Sequence, residues 1–124
     1  MTVSCLLTGC RQQSMEEAGK PLEYTVVEPD EVPAELQAKM EESKEAGFKL
    51  TYRTQESLYI AEGYGKQPTG GYSVAVRKLM LNDSAIDFET EMIGPQSGEK
   101  VSKEPSYPYI VVKTEYREQN VVFK

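Results

Sequence analysis

A chain of 124 residues with 39% hydrophobic content can bury one modest core, so its length predicts a single domain. The net charge of -6 at pH 7 disfavours a partner that presents a phosphate backbone, and we expect no contact with nucleic acid. The chain has no histidine, and its two cysteines, Cys5 and Cys10, precede the body of the fold. Serine–histidine and cysteine–histidine nucleophiles and thiolate zinc sites are therefore excluded, and we expect no enzyme activity, metal or cofactor.

The chain begins with a short apolar stretch that ends in Leu7-Thr8-Gly9-Cys10. This tetrapeptide looks like a bacterial lipobox, after which a signal peptidase leaves a cysteine that carries lipid. Small residues before the cysteine suit such a peptidase, and two or more acyl chains give a stable anchor. The motif predicts lipidation of Cys10 and an extracytoplasmic location, anchored to the bacterial cell membrane.

The leader is shorter than a normal signal sequence. Its apolar part, Val3 to Leu7, falls below the roughly 7 to 15 residues of a normal apolar segment, and no basic residue precedes it. A leader truncated at its start and a chance match to the motif both remain open. Arg11 to Lys20 is polar and aperiodic, so residues 1–20 are interpreted as a truncated leader followed by a flexible tether.

Residues 21–124 are predicted to form one β domain that begins with a strand and a helix. Leu22 to Val27 is rich in β-branched and aromatic residues and lies between two prolines, which indicates a short strand. Pro33 to Ala46 has proline at its start, acids early, lysines late and Gly47 directly after it, which predicts a helix. Its narrow apolar stripe would face a sheet.

From Phe48 onward, apolar residues recur at every second position. This alternation predicts a hairpin of two strands, Phe48 to Arg53 and Leu58 to Ala61, joined across a polar break. Tyr72 to Leu81 predicts a third strand. A change of parity near Lys78 indicates a β-bulge or a twist within it.

The rest of the chain also indicates strands. Ile86 to Met92 alternates apolar with acidic residues, and a long polar loop, Gly94 to Ser106, follows it. Tyr107 to Thr114 is the most apolar run and predicts a central strand, and Val121 to Phe123 predicts a short final one. One helix and about seven strands favour a mainly β (α+β) fold, either an antiparallel β-sandwich or an open barrel.

The glycine-rich segment GYGKQPTGGYSV, residues 63–74, resembles a phosphate-binding loop at first sight. Such a loop needs lysine and then serine or threonine after its last glycine, followed by a helix. Here Gly71 and Tyr72 follow Gly70, and a predicted strand comes next in the chain. Pro68 to Gly71 fits a turn instead, and the flanking Tyr64 and Tyr72 could add a binding face. A turn alone and a turn with a partner contact both remain open.

Three acidic residues, Asp87, Glu89 and Glu91, share one face of a predicted strand. Carboxylates at this spacing could perform acid–base chemistry or hold calcium. The same parity is also the solvent face of an amphipathic strand. We interpret the three residues as that solvated face.

Tyr107-Pro108-Tyr109 places a proline between two tyrosines at the start of the central strand. Proline is tolerated in the first residues of a strand, so the motif fits a transition from loop to core. Alternatively, its two tyrosines join Tyr64 and Tyr72 in one aromatic patch. Both interpretations remain open.

Four segments together resemble the C-terminal domain of the PrcB-like protease-complex subunit family of bacterial lipoproteins. They are GYGKQPTGGYSV at 63–74, IGPQSGEKV at 93–101, YPYIVVK at 107–113 and the terminal NVVFK. The resemblance covers roughly Tyr59 to Lys124. It implies a non-catalytic, lipid-anchored accessory subunit that binds and stabilises a partner, which is a secreted subtilisin-like protease in the family's namesake setting.

We therefore predict a partner-binding surface. Its predicted residues are Tyr64, Gly65, Pro68, Thr69, Gly70, Gly71, Tyr72, Tyr107, Pro108 and Tyr109. The segment Pro68 to Tyr72 is also similar to a loop of chagasin-like inhibitors of cysteine peptidases, which insert loops into an active-site cleft. Those inhibitors also use an Arg-Pro-Trp element, and this chain has no tryptophan. A proteinase inhibitor is the alternative function.

Overall fold

The computed structural model describes residues 19–124. Cys5 and Cys10 lie outside the described residues, so lipidation of Cys10 stays a prediction. Within the described part of the chain, no helix is long and apolar enough to cross a membrane.

Within residues 19–124, eight strands form two four-stranded sheets that pack face to face, with one α-helix outside them. In chain order the strands are β1 Lys20–Pro21, β2 Thr25–Val26, β3 Phe48–Arg53, β4 Ser57–Gly63, β5 Ser73–Leu81, β6 Ala85–Ile93, β7 Tyr109–Glu115 and β8 Asn120–Phe123. Helix α1, Ala34–Ser43, follows a 3₁₀ turn at Pro29–Glu31. The first sheet has the order β1-β5-β6-β8, and the second has the order β2-β7-β4-β3.

All neighbouring strands are antiparallel except β6 and β8, which are parallel. The predicted mainly β fold is confirmed, and of the two predicted arrangements, an antiparallel sandwich or an open barrel, the packed sheets are sandwich-like. The parallel pairing sets Phe123 beside Phe88, with ring centroids 5.8 Å apart in an edge-to-face arrangement. Such aromatic pairs add to the stability gained from burial alone.

The predicted single strand from Leu22 to Val27 is wrong in extent. The chain instead forms two short strands, with Lys20 opposite Leu81 in the first sheet and Thr25 opposite Lys113 in the second. Leu22 is buried in the core between them, where the chain crosses from one sheet to the other. Local residue preferences indicate extended backbone, but they cannot show that the two ends pair with different sheets.

Helix α1 is confirmed, although it ends at Ser43 and not at Ala46. The Gly47 amide donates a hydrogen bond to the Ser43 carbonyl at 2.9 Å. Gly47 has a φ of +96°, a conformation that glycine adopts without strain and that commonly ends helices. The buried stripe, Leu36 and Met40, packs on the second sheet.

Of the bulge or twist predicted in β5, the structure shows a bulge. The pairing with β6 shifts between Val76 and Lys78. This extra residue returns Leu79 and Leu81 to the side of the sheet that carries Val74 and Val76, and all four contact the core. The parity change in the sequence is therefore the result of one inserted residue.

The second sheet lies in the middle of the molecule and contributes to two apolar clusters. Its contact with the first sheet is the main core, in which the buried residues are Leu22, Leu58, Ile60, Leu79, Ile86, Phe88, Ile110 and Val112. Its opposite face packs against α1 and the segment before it, where the buried residues are Val32, Leu36, Met40, Ala61 and Val111. Alternate residues of β4 and β7 therefore serve opposite faces of one sheet.

Candidate partner-binding site

The glycine-rich loop between β4 and β5 is held against the loop that precedes β7. Gln67 and Ser106 exchange both backbone hydrogen bonds, at 2.8 and 3.0 Å. The Gly70 amide donates to the Ser102 carbonyl at 2.9 Å, and the Ser106 hydroxyl donates to the Thr69 carbonyl at 2.6 Å. These bonds give the loop one shape, and a strand, not a helix, follows it.

Two glycines of the glycine-rich loop have positive φ angles, which residues with a side chain rarely adopt. Gly71 has a φ of +90°, and a Cβ there would lie 2.5 Å from Val101 Cγ1. Gly65 has a φ of +83°, and a Cβ there would lie 3.0 Å from the Glu45 carbonyl oxygen. Both glycines are needed for the observed loop, whether or not the loop also contacts a partner.

The four predicted tyrosines do not form one patch. The Tyr64 hydroxyl lies 2.6 Å from the Thr90 hydroxyl of β6, on the side of the first sheet. Tyr72 packs beside Gly94, where an added Cβ would lie 3.2 Å from the Tyr72 ring. Tyr107 and Tyr109 lie together on the opposite face of the second sheet, beside α1.

Tyr64 belongs to a hydrogen-bonded chain between the sheets. The Thr90 hydroxyl donates to the Glu62 carboxylate at 2.9 Å. Glu62 is only 6% exposed, so this bond helps to satisfy a charge-bearing group in an otherwise apolar core. This series of hydrogen bonds gives Tyr64 a structural role at the end of the main core.

Tyr107 and Tyr109 line a pocket of about 250 Å³ against helix α1. Its other lining residues are Gln37, Met40, Glu41, Lys44 and Phe48. The rings of Phe48 and Tyr109 are 6.5 Å apart and inclined at 45°. We call this cavity the aromatic pocket.

Two charged side chains of α1 lie at the aromatic pocket. The Lys44 ammonium lies 4.8 Å from the centroid of the Tyr107 ring, within range of a cation–π interaction. The same ammonium is 3.5 Å from Glu41 Oε1. Lys44 and Glu41 are both substantially exposed at 42% and 65%, so burial does not hold either side chain in place.

The floor of the aromatic pocket depends on a glycine. Gly63 of β4 lies directly between Phe48 of β3 and Tyr109 of β7 in the strand register. The Phe48 ring covers Gly63 so closely that an added Cβ would lie 2.5 Å from Phe48 Cε2. The absence of a side chain at Gly63 therefore allows the ring to lie flat on the sheet beside Tyr109.

The pocket also affects the ionisation of Tyr109. Burial raises the pKa of its phenol above 10.0, and the negative charge of Glu41 raises it further. A second phenol on the same face behaves similarly, because Tyr52 donates a 2.7 Å hydrogen bond to Glu35 that raises the pKa of Tyr52. Both rings therefore remain neutral across the physiological pH range.

A larger groove of about 730 Å³ lies along the N-terminal strands, away from the predicted site residues. The groove is lined by both basic and acidic side chains. Within it, Arg117 Nη2 lies 3.6 Å from Glu115 Oε1. Neither sign of charge dominates. We therefore find no selective chemistry in this groove comparable with that of the aromatic pocket.

The acidic strand face carries no catalytic arrangement. Asp87 lies 3.8 Å from the Lys124 ammonium, and Glu91 pairs with Arg77. Glu89 lies opposite Lys78 in the strand pairing. Within residues 19–124, no group of three or more His, Cys, Asp or Glu residues is arranged to hold a metal ion.

The sequence analysis identified Tyr107 and Tyr109 but missed the helical side of the aromatic pocket. Gln37, Met40 and Lys44 follow one another at the three- and four-residue spacing that defines one face of a helix. That spacing could have been recognised in advance. Which aromatic residues the face meets depends on strand pairing over more than forty positions, and local patterns do not contain that information.

Comparison with known proteins shows that part of the chain is similar to one family. A family model described as PrcB C-terminal matches residues 58–115, which span β4 to β7. No match was found among curated proteins or among solved structures. Tyr107 and Tyr109 of the aromatic pocket lie within the matched residues, whereas α1 and Phe48 lie outside the match.

Proposed function

From the match of residues 58–115 to the PrcB C-terminal family model, we propose that the protein is a non-catalytic accessory subunit that binds and stabilises a partner protease. The family match is the observation that carries the proposal. It covers strands of both sheets, including the loops on which the predicted site residues lie. The function therefore resides in the surface of this domain.

The surface beside α1 is the part of the domain best suited to a protein partner. It combines half-buried aromatic rings with exposed charges, and aromatic residues in partly enclosed positions commonly contribute most to binding energy. The glycine-rich loop lies near it, because the Lys66 amide donates to the Glu45 carbonyl at 3.0 Å. Tyr107, Tyr109 and this loop are therefore proposed to share one interface.

The finer features of the proposal concern partner and location. We propose a secreted subtilisin-like protease as the partner and a lipid anchor at Cys10 that holds both proteins at the cell membrane. The LTGC motif supports the anchor. Labelling cells with a palmitate analogue tests it, because the wild-type chain should incorporate the label and Cys10→Ser should not.

Co-purification tests the accessory function. The tagged full chain, purified from membranes of the cells that produce it, should recover a protease identified by mass spectrometry. That protease should lose activity more slowly on incubation with the chain than alone, because binding stabilises the folded partner. Recovery of no protease, or recovery of one whose half-life is unchanged, would contradict the proposal.

The same incubation distinguishes an accessory subunit from an inhibitor. An accessory subunit leaves the initial rate of the protease unchanged or raised and extends its lifetime. An inhibitor that uses Pro68 to Tyr72 would lower the initial rate of a papain-type or subtilisin-type protease in proportion to its concentration. Titration of both protease types with the chain therefore separates the two functions.

A further inference from the structure

We propose that the aromatic pocket receives an arginine side chain of the protein partner, between the rings of Tyr107 and Tyr109 and the carboxylate of Glu41. This inference rests on the proposed function, because it assigns a chemistry to the same interface. It also names the residues that select the partner, several of which lie outside the PrcB C-terminal match.

The size of the aromatic pocket suits one side chain. Its volume of about 250 Å³ lies below the roughly 300 to 1,000 Å³ of pockets that enclose a drug-sized ligand. The lining combines three aromatic rings, the thioether of Met40, the amide of Gln37, the carboxylate of Glu41 and the ammonium of Lys44. Aromatic rings beside a carboxylate are complementary to a planar cation.

The molecule already places a cation of its own in this position. Lys44 lies over the Tyr107 ring and beside the Glu41 carboxylate, in contact with the two kinds of group that would bind a partner's guanidinium. Because Lys44 is only partly enclosed and its stem is flexible, an incoming cation can displace it. Lys44 is therefore a competitor for the pocket and not its ligand.

Charge and geometry favour arginine over lysine as the occupant. Helix α1 and the turn after it carry Glu35, Glu41, Glu42 and Glu45 against Lys39 and Lys44, so this surface is negative. A guanidinium stacks on aromatic rings, pairs with a carboxylate through two hydrogen bonds and gives up its water more readily than an ammonium does. An anionic partner group would meet repulsion from Glu41.

Peptide titration of the full chain tests the proposal. We expect the pentapeptide Gly-Gly-Arg-Gly-Gly to shift the NMR signals of Tyr107 and Tyr109, with smaller shifts from the lysine peptide and none from the glutamine or glutamate peptides. Glu41→Gln should weaken binding of the arginine peptide about two- to fivefold. Glu42→Gln, which removes the same charge from an exposed neighbour, should change it much less.

Substitution of Lys44 gives the most discriminating result. Lys44→Gln removes the internal competitor and should strengthen binding of the arginine peptide about two- to fivefold, whereas Lys39→Gln should leave it nearly unchanged. Weaker binding by Lys44→Gln, or equal binding of the arginine and glutamine peptides, would overturn the proposal. If the chain co-purifies with a protease but these titrations fail, the arginine pocket alone is refuted. If no protease co-purifies with the chain, the proposed function is refuted.

Discussion

The two faces of the second sheet are built from alternating residues of the same strands, and both bury apolar side chains, but the face toward α1 leaves aromatic rings partly exposed. Toward the first sheet, Leu58 and Ile60 of β4 are completely buried. Toward α1, Tyr59 and Tyr109 remain partly exposed. The first sheet covers most of the face that the second sheet turns toward it, whereas α1, a helix of ten residues, covers only part of the opposite face. The uncovered part is where the aromatic pocket lies, so we expect stability to depend mainly on the face toward the first sheet and propose that a partner binds at the other face.

The largest expected effect comes from removing one of two rings, Phe88 of the first sheet, which packs in the main core, and Phe48 of the second sheet, which lies on the face toward α1. Phe88→Ala, at a completely buried position between the sheets, should lower the free energy of unfolding by about 3 to 5 kcal/mol. Phe48→Ala, on the partly exposed face, should cost less than about 2 kcal/mol. Urea unfolding of both variants measures the difference. Equal losses would show that the two faces contribute alike to stability.

The polar chain within the main core provides the second test. Thr90→Val keeps the shape of the side chain but removes the hydroxyl that donates to the buried Glu62 carboxylate. We expect a loss of about 1 to 3 kcal/mol, because the carboxylate would remain in the core without this donor. Thr51→Val, at an exposed position of β3, should change stability by less than about 0.5 kcal/mol in the same urea experiment. An equal change in the free energy of unfolding for both variants would contradict the structural role of the hydrogen bond between Thr90 and Glu62.

The glycine under Phe48 allows the aromatic pocket to be changed without touching the main core. Gly63→Ala would press its methyl group into the Phe48 ring, which must then move. The gain in strand preference partly offsets this strain, so we expect a net loss of about 1 kcal/mol in unfolding free energy. Binding of the arginine peptide should fall while the rest of the NMR spectrum is preserved. Unchanged peptide binding would show that the Phe48 ring does not shape the pocket.

The smallest expected effect is a pH dependence at Tyr109. Its pKa is raised above 10.0 in the folded chain, so the neutral phenol contributes stability at lower pH. That contribution is complete below about pH 10 and is lost as the pH rises through the folded pKa. Absorbance of tyrosinate near 295 nm should show a late-titrating phenol that disappears in Tyr109→Phe. An unchanged titration curve in the variant would contradict the assignment.

Much of the fold could be predicted from the sequence because its signals are local. Helix α1 follows from its proline, charge order and Gly47, and the hairpin follows from the alternation that begins at Phe48. The bulge near Lys78 was visible as a parity change within one strand. Each of these features is determined by residues within about fifteen positions of one another.

The features that the sequence could not predict all depend on distant pairing. The split of the N-terminal strand between two sheets requires Leu81 and Lys113 as partners, and the parallel position of β8 requires β6. The aromatic pocket requires the register that aligns Phe48, Gly63 and Tyr109. A pattern of alternation determines which residues share a face but not which strand lies next to it. For the same reason, the four tyrosines could not be assigned to separate environments in advance.

Site-specific photocrosslinking in the cells that produce the protein tests the central claim most directly. A photoreactive residue replaces Gln37 at the rim of the aromatic pocket, and a second variant carries it at Val122, which is 40% exposed on the first sheet. The account predicts a covalent adduct with a protease from position 37 and none from position 122. No protease adduct from position 37, or equal adducts from both positions, would contradict it.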